Sequence, residues 1–203
     1  MTDELKTGSV TKGGDVVTPE GLASFVYAFE PQQPNAQNQL KAPKHSCTIL
    51  FPADADLTHL KTLAATKLNE KFGAKMQDHD FVAKLRNPFR DQGDKDFDGY
   101  IKGCKYIIAT SDAQHPPVIV DGNRNDIKEP RHLYAGAKIR LVVNAYAYDT
   151  AGNRGVAFGL KGIQKTGDGT PLSGGGPIAA DTFSPVAGAG ASALASGAAS
   201  VFD

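Results

Sequence analysis

The sequence predicts a mainly β protein with one interposed α-helix. Three observations carry this. The stretch Lys138 to Tyr148 alternates, with Ile139, Leu141, Val143, Ala145 and Ala147 on one side and Lys138, Arg140, Asn144, Tyr146 and Tyr148 on the other; period-2 alternation is the mark of a half-buried strand. A chain of 203 residues with 22 glycines and 12 prolines is loop-rich, as β proteins are. Only one segment, Leu57 to Phe72, spaces its apolar residues at helical intervals.

The alternating strand continues into a hairpin. Asp149-Thr150-Ala151-Gly152-Asn153 has turn chemistry, since Gly and Asn tolerate the left-handed backbone that a reversal needs. Arg154 and Gly155 lead into a second strand, with Val156, Phe158 and Leu160 on one face and Lys161 and Lys165 nearby. The outer face is therefore basic and aromatic. An ordinary solvated strand carries such residues too, because Tyr has high strand propensity. The functional reading is a nucleic-acid platform, in which rings stack on unpaired bases and cations neutralise phosphates.

In chain order, residues 1–20 are polar and read as a flexible lead. Leu22 to Glu30 is a first strand, with Phe25, Tyr27 and Phe29 on one side. Pro31 to Pro43 is a Gln/Asn/Pro-rich loop long enough to be a functional arm, and Ser46 to Phe51 is the next strand. Asp54 and Asp56 favour a helix start, Leu57, Leu60, Leu63, Ala64, Leu68 and Phe72 form its core face, and Gly73 stops it. Phe81 to Leu85 reads as a short helical continuation. Asp94, Asp96, Asp98 and Gly99 imitate the opening of an EF-hand calcium loop, but Lys105 stands where its closing carboxylate belongs. An acidic loop is expected there, with a calcium-regulated module as a rival reading.

Ile101 to Thr110 is a third strand, with Lys105 and Ile107 on one face and Lys102, Cys104, Tyr106 and Ile108 on the other. Val118 to Val120 is a short strand before the long hairpin. Cys47 and Cys104 lack metal-ligand spacing and are expected to be reduced and buried. Neither His115 nor His132 has a partner at a recognisable catalytic spacing, and no phosphate loop, dinucleotide fingerprint or nucleophile elbow occurs. No enzymatic activity and no cofactor or metal are expected. No apolar run approaches membrane-spanning length, and the polar N-terminus is unlike an export signal, so the expected location is the cytoplasm.

Net charge is zero, but its distribution is uneven. Residues 84–165 carry 14 basic and 9 acidic side chains, a net of +5, against −2 for residues 1–83 and −3 for residues 166–203. A basic middle suits a nucleic-acid-binding core. Residues 187–200 are an Ala/Gly/Ser run too poor in apolar surface to fold alone. Five or six short strands and one helix predict a Greek-key barrel of the OB-fold type over residues 21–183, with a flexible tail over 184–203.

The segments SCTILFP, HPPVIVDGN, LYAGAKIRLVVNAYAYDTAGNRGVAFGLKGIQ and GDGTPLSGG resemble a phage protein family similar to the single-stranded DNA-binding proteins of short-tailed coliphages. The resemblance runs from Gly21 to Phe183 and is most specific at Gly152 to Gln164. It implies an OB-fold that coats single-stranded DNA without sequence preference in phage replication, recombination and repair. Such proteins often dimerise and dock partners through an acidic tail ending in an aromatic. Here Phe202 is penultimate, and Asp181 and Asp203 are the only acidic residues among the last 25. The candidate stacking residues are Tyr146, Tyr148, Tyr106 and Phe158; the candidate phosphate ligands are Lys138, Arg140, Arg154, Lys161, Lys102 and Lys105. A phage structural or accessory protein using the same fold for protein contacts is the other reading.

Overall fold

The computed structural model describes residues 3–37, 42–150 and 152–172. Its elements in chain order are α1 (Asp3–Thr7), β1 (Ser9–Val10), β2 (Val16–Val17), β3 (Gly21–Gln32), β4 (Lys44–Leu50), α2 (Thr58–Phe72), α3 (His79–Ala83), β5 (Arg90–Asp91), β6 (Lys105–Asp112), β7 (Val118–Val120), β8 (Lys138–Thr150) and β9 (Asn153–Gly167). Five strands close a barrel in the order β3-β4-β6-β9-β8 and back to β3. All the barrel pairings are antiparallel except β6–β9, which is parallel. Numbering only the barrel strands gives 1-2-3-5-4-1, the connectivity of the five-stranded Greek-key OB-fold.

The alternation expected for β8 holds: Ile139, Leu141, Val143 and Ala145 point into the barrel. They meet Val156, Phe158, Leu160 and Ile163 of β9, Ile107 and Ala109 of β6, and Cys47 and Ile49 of β4. The inward set of β9 shifts from even to odd numbers because Val143 pairs with Leu160 and Val142 with Gly162, which leaves Lys161 as an extra residue in a bulge. Leu57, Leu60 and Ala64 of the α2 region are buried in the same core. Asp56 helps start α2 by accepting the Thr58 N–H at 2.8 Å, and Gly73 ends it at φ 51°.

Two expectations are corrected. Residues 3–20 are built into the fold rather than forming a flexible lead. Val16 and Val17 pair with Val143 and Val142, Val16 is buried, and the buried Thr18 hydroxyl accepts the Leu141 N–H at 3.0 Å. A pair of valines flanked by Gly, Thr and Asp is too short a signal to read from sequence alone. The third strand begins at Lys105, because residues 101–104 form a turn; Cys104 is buried just ahead of it. On β3, Phe25, Tyr27 and Phe29 line one groove as expected, although a bulge at Phe25 interrupts the alternation. Both cysteines are free, and burial pushes the Cys47 thiol up to about 12. The tail falls outside the described residues.

Candidate nucleic-acid interface

Register defines the outer face of the barrel. Tyr146 of β8 lies opposite Ala157 of β9, and Asn144 opposite Gly159. Gly159 is also level with Thr110 of β6, so one step back Ala157 is level with Ile108. Ile108 pairs with Thr48 of β4, and Thr48 with Ser24 of β3. A row therefore crosses the five strands from Tyr146 through Ala157, Ile108 and Thr48 to Ser24, a path of about 19 Å at ordinary strand spacing. Tyr146 and Ile108 are exposed on it, by 45% and 37%. The floor beside them is low: the Asn144 amide lies over Gly159, and a Cβ there would come within 2.1 Å of Asn144 Oδ1 and push that side chain aside.

The β3 end of the row is aromatic. Between Ser24/Thr48 and Tyr27/Ser46, β3 has one residue more than β4, and Phe25 takes up the bulge with φ 45°. A bulky side chain in the left-handed region is uncommon and strained, at a cost of roughly 1–3 kcal/mol. The result is a phenyl ring 46% exposed. Its edge-to-face contact with Phe97 (5.4 Å) begins a chain that continues through Tyr100 (5.5 Å) to Tyr106 (5.7 Å). The Tyr100 hydroxyl is 3.2 Å from Ser24 Oγ, and partial burial holds its pKa above the ordinary phenol value. Beside these rings lies a groove of about 730 Å³.

The loop carrying Phe97 and Tyr100 is anchored at its neck. Buried Gln92 donates to the carbonyls of Phe51 and Lys105, both at 2.9 Å, and accepts the Ile101 N–H at 2.9 Å. Asp91 accepts the N–H groups of Gly93 (2.8 Å) and Gly103 (3.1 Å) and pairs with Lys105 (3.1 Å), which together hold its carboxyl below the usual range. The calcium-like string is thus the tip of a loop organised by its own hydrogen bonds. Among the described residues, no three His, Cys, Asp or Glu side chains group to hold a metal ion.

Cations gather at the other border of the face, where Phe81, Arg86 and Phe89 lie against the β8–β9 hairpin. The Arg86 N–H donates to the Arg154 carbonyl at 2.8 Å, and its guanidinium donates to Asn153 Oδ1 at 2.7 Å. Arg154 pairs with Asp149 at 3.0 Å and sits over the Phe81 ring, while Phe89 packs on Phe158. Arg90 is exposed opposite Tyr106. Close approach here requires Gly155, whose Cβ would fall 2.8 Å from the Arg86 carbonyl oxygen and 3.0 Å from the Tyr148 hydroxyl.

The candidates from sequence divide sharply. Tyr146 lies on the row, Tyr148 is half-buried beside Gly155, and Arg154 stands at the cationic border. Phe158 is a correction: at 1% exposure it is core and has no face to offer a base. Tyr106 is a correction for a different reason, since it does point outward but Tyr100 covers it, leaving 3% exposed. Arg140 has a side chain only 15% exposed and already bonded to Gln164 (2.9 Å) and Glu4 (3.3 Å), so it is removed from the phosphate ligands. Lys161 is held by both oxygens of Asp15, at 2.9 and 2.8 Å, and Lys105 by Asp91. Lys138 is exposed at the start of β8 beside Leu22, off the row, and Lys102 is exposed in the turn before β6. Phe25, Phe97, Tyr100, Arg86 and Arg90 are missing from the sequence-based set. His115 does meet a carboxylate, Asp112 at 2.7 Å, in an exposed turn that the Gln114 N–H also closes onto Asp112.

Residues 14–192 match the family of the single-stranded DNA-binding protein of Enterobacter phage Enc34. The chain belongs to this family. Protein p50 of Acyrthosiphon pisum secondary endosymbiont phage 1 is 28% identical over 171 residues, covering 79% of this chain and 87% of that protein. The structure of the Enc34 protein in complex with single-stranded DNA superposes with a TM-score of 0.64 at 21% identity, over 85% of this chain and 97% of the other. Gp2.5, the single-stranded DNA-binding protein encoded by bacteriophage T7, gives 0.55 at 14% identity, over 77% and 93%. These likenesses bear out the OB-fold. Among the described residues no helix is long and apolar enough to cross a membrane.

Proposed function

We propose that this chain is a non-catalytic protein that coats single-stranded DNA without sequence preference during phage DNA replication, recombination and repair, in the cytoplasm of the host cell. The observation that carries the reading is the row from Tyr146 to the Phe25–Phe97 pair, bordered by Arg86, Arg90 and Arg154. It occupies the face on which OB-folds bind oligonucleotides, across their second and third strands, here β4 and β6. Rings spaced along a low floor suit unpaired bases, because every base has a π-face, and arginines at the border suit the phosphates between them. A duplex, whose bases are already stacked, offers nothing to such rings. Family membership and the DNA complex of the Enc34 protein support the same reading. The proposal extends to partner docking by Phe202 and Asp203 and to a homodimer.

Fluorescence anisotropy of a labelled oligo-dT, competed with duplex and RNA across a salt series, tests it. Single-strand preference with affinity falling steeply as salt rises is expected. Arg90→Ala is expected to reduce the magnitude of the log-affinity against log-salt slope by about 0.7, the value of one phosphate contact on a single strand. Absence of binding at low salt would overturn the reading.

A further inference from the structure

The groove beside β3 differs chemically from the rest of the face. Its lining includes six aromatic residues, among them Phe25, Phe97 and Tyr100, and Asp96 and Asp98 are the charged ones. Neither carboxylate has an ion-pair partner among the described residues. A phosphate entering here would meet two anions and no cation among the lining residues. A base would meet aromatic surface and hydrogen-bond acceptors, in a volume of about 730 Å³ that is ample for one nucleobase.

We propose that this groove receives an unpaired base from the bound strand and favours bases that carry an exocyclic amine. The inference rests on the single-stranded DNA reading and deepens it. Cytosine and adenine present N–H groups on the edge left free by the lack of a complementary strand, and a carboxylate accepts from such an amine. Thymine presents one ring N–H between two carbonyl oxygens, and those oxygens face Asp96 and Asp98 unfavourably. The Phe25–Phe97 edge-to-face pair fixes the rings against which the base stacks. Binding remains general, because the rest of the row reads only rings and phosphates. The groove adds a compositional bias to it.

The test is competition between unlabelled oligo-dC and oligo-dT of equal length for labelled oligo-dT, in mildly alkaline buffer that keeps cytosine neutral. The wild-type protein is expected to prefer oligo-dC by about threefold or more, as one modest base contact gives. In D96N/D98N that ratio should fall to about one while affinity for oligo-dT holds or rises, since two anions have been removed from the face. A wild-type ratio of one, or a ratio that survives the double substitution, would overturn the inference and leave the single-stranded DNA reading standing. Failure of the wild-type protein to bind either oligonucleotide would overturn both.

Discussion

Replacing Phe25 with glycine weakens binding to oligo-dT by about 5- to 140-fold and leaves thermal stability nearly unchanged. The binding loss is that of one base–aromatic stack, about 1–3 kcal/mol. Stability is spared because two terms oppose each other. The Phe25–Phe97 contact at 5.4 Å is lost, which costs about 0.5–1.5 kcal/mol. The backbone at φ 45°, strained for phenylalanine, is one that glycine adopts freely, which returns roughly 1 kcal/mol or more. Phe25→Trp keeps a ring at the same bulge and should retain affinity. Anisotropy and a thermal melt on the same samples check both halves. Unchanged affinity in Phe25→Gly would remove the bulge from the site, and a large drop in melting temperature would show that the ring is there for folding.

Phe158→Ala behaves in the opposite way. Its ring is 1% exposed, stacked edge-to-face on Phe89 at 5.6 Å, and surrounded by Ala109 and Ala145 on the neighbouring strands. Truncation leaves a cavity in the barrel and is expected to cost about 3–5 kcal/mol, as buried Phe→Ala changes do. For a domain of this size that lowers the melting temperature by about 6–20 °C. The molecules that remain folded should bind oligo-dT with wild-type affinity. Urea melts give the stability, and titration well below the melting temperature gives the affinity. A stable variant with weakened binding would contradict the placement of this ring inside the barrel.

The two phenylalanines show what can be read from the chain and what cannot. Alternation on β8 survives folding because the extra residue near its middle, Lys161, is taken up on the β9 side, so Ile139, Leu141 and Val143 reach the core as read. The helix from Thr58 to Phe72 and the short strand Val118–Val120 were legible for similar local reasons: spacing, a stop at Gly73, and β-branched residues between turns. The bulge that exposes Phe25 is not legible, because a bulge is set by the register of the partner strand and leaves no local mark in the sequence. Tyr106 was read with the correct direction and the wrong exposure; parity says which way a side chain points, not what loop folds over it. Arg86 owes its position to packing against the hairpin, a contact between segments more than sixty residues apart in sequence, as the Arg86–Asn153 separation of 67 shows, and Arg90 owes its own to the pairing of β5 with β6. Lys161 and Arg140 passed from candidates to structural groups because Asp15 and Glu4 come from an N-terminal segment whose polarity hid its place in the sheet.

The most direct test of the central claim is to locate the strand on the barrel. Oligo-dT with 5-bromodeoxyuridine in place of thymidine can be photo-crosslinked to the full-length protein and the modified peptides identified by mass spectrometry. Adducts on the peptides bearing Phe25, Phe97 and Tyr146, lost when unlabelled oligo-dT competes, are the result expected from the row across β3, β4, β6, β9 and β8. Adducts confined to α2 or to the β1–β2 segment and Lys161, with none at Phe25, Phe97 or Tyr146, would contradict it.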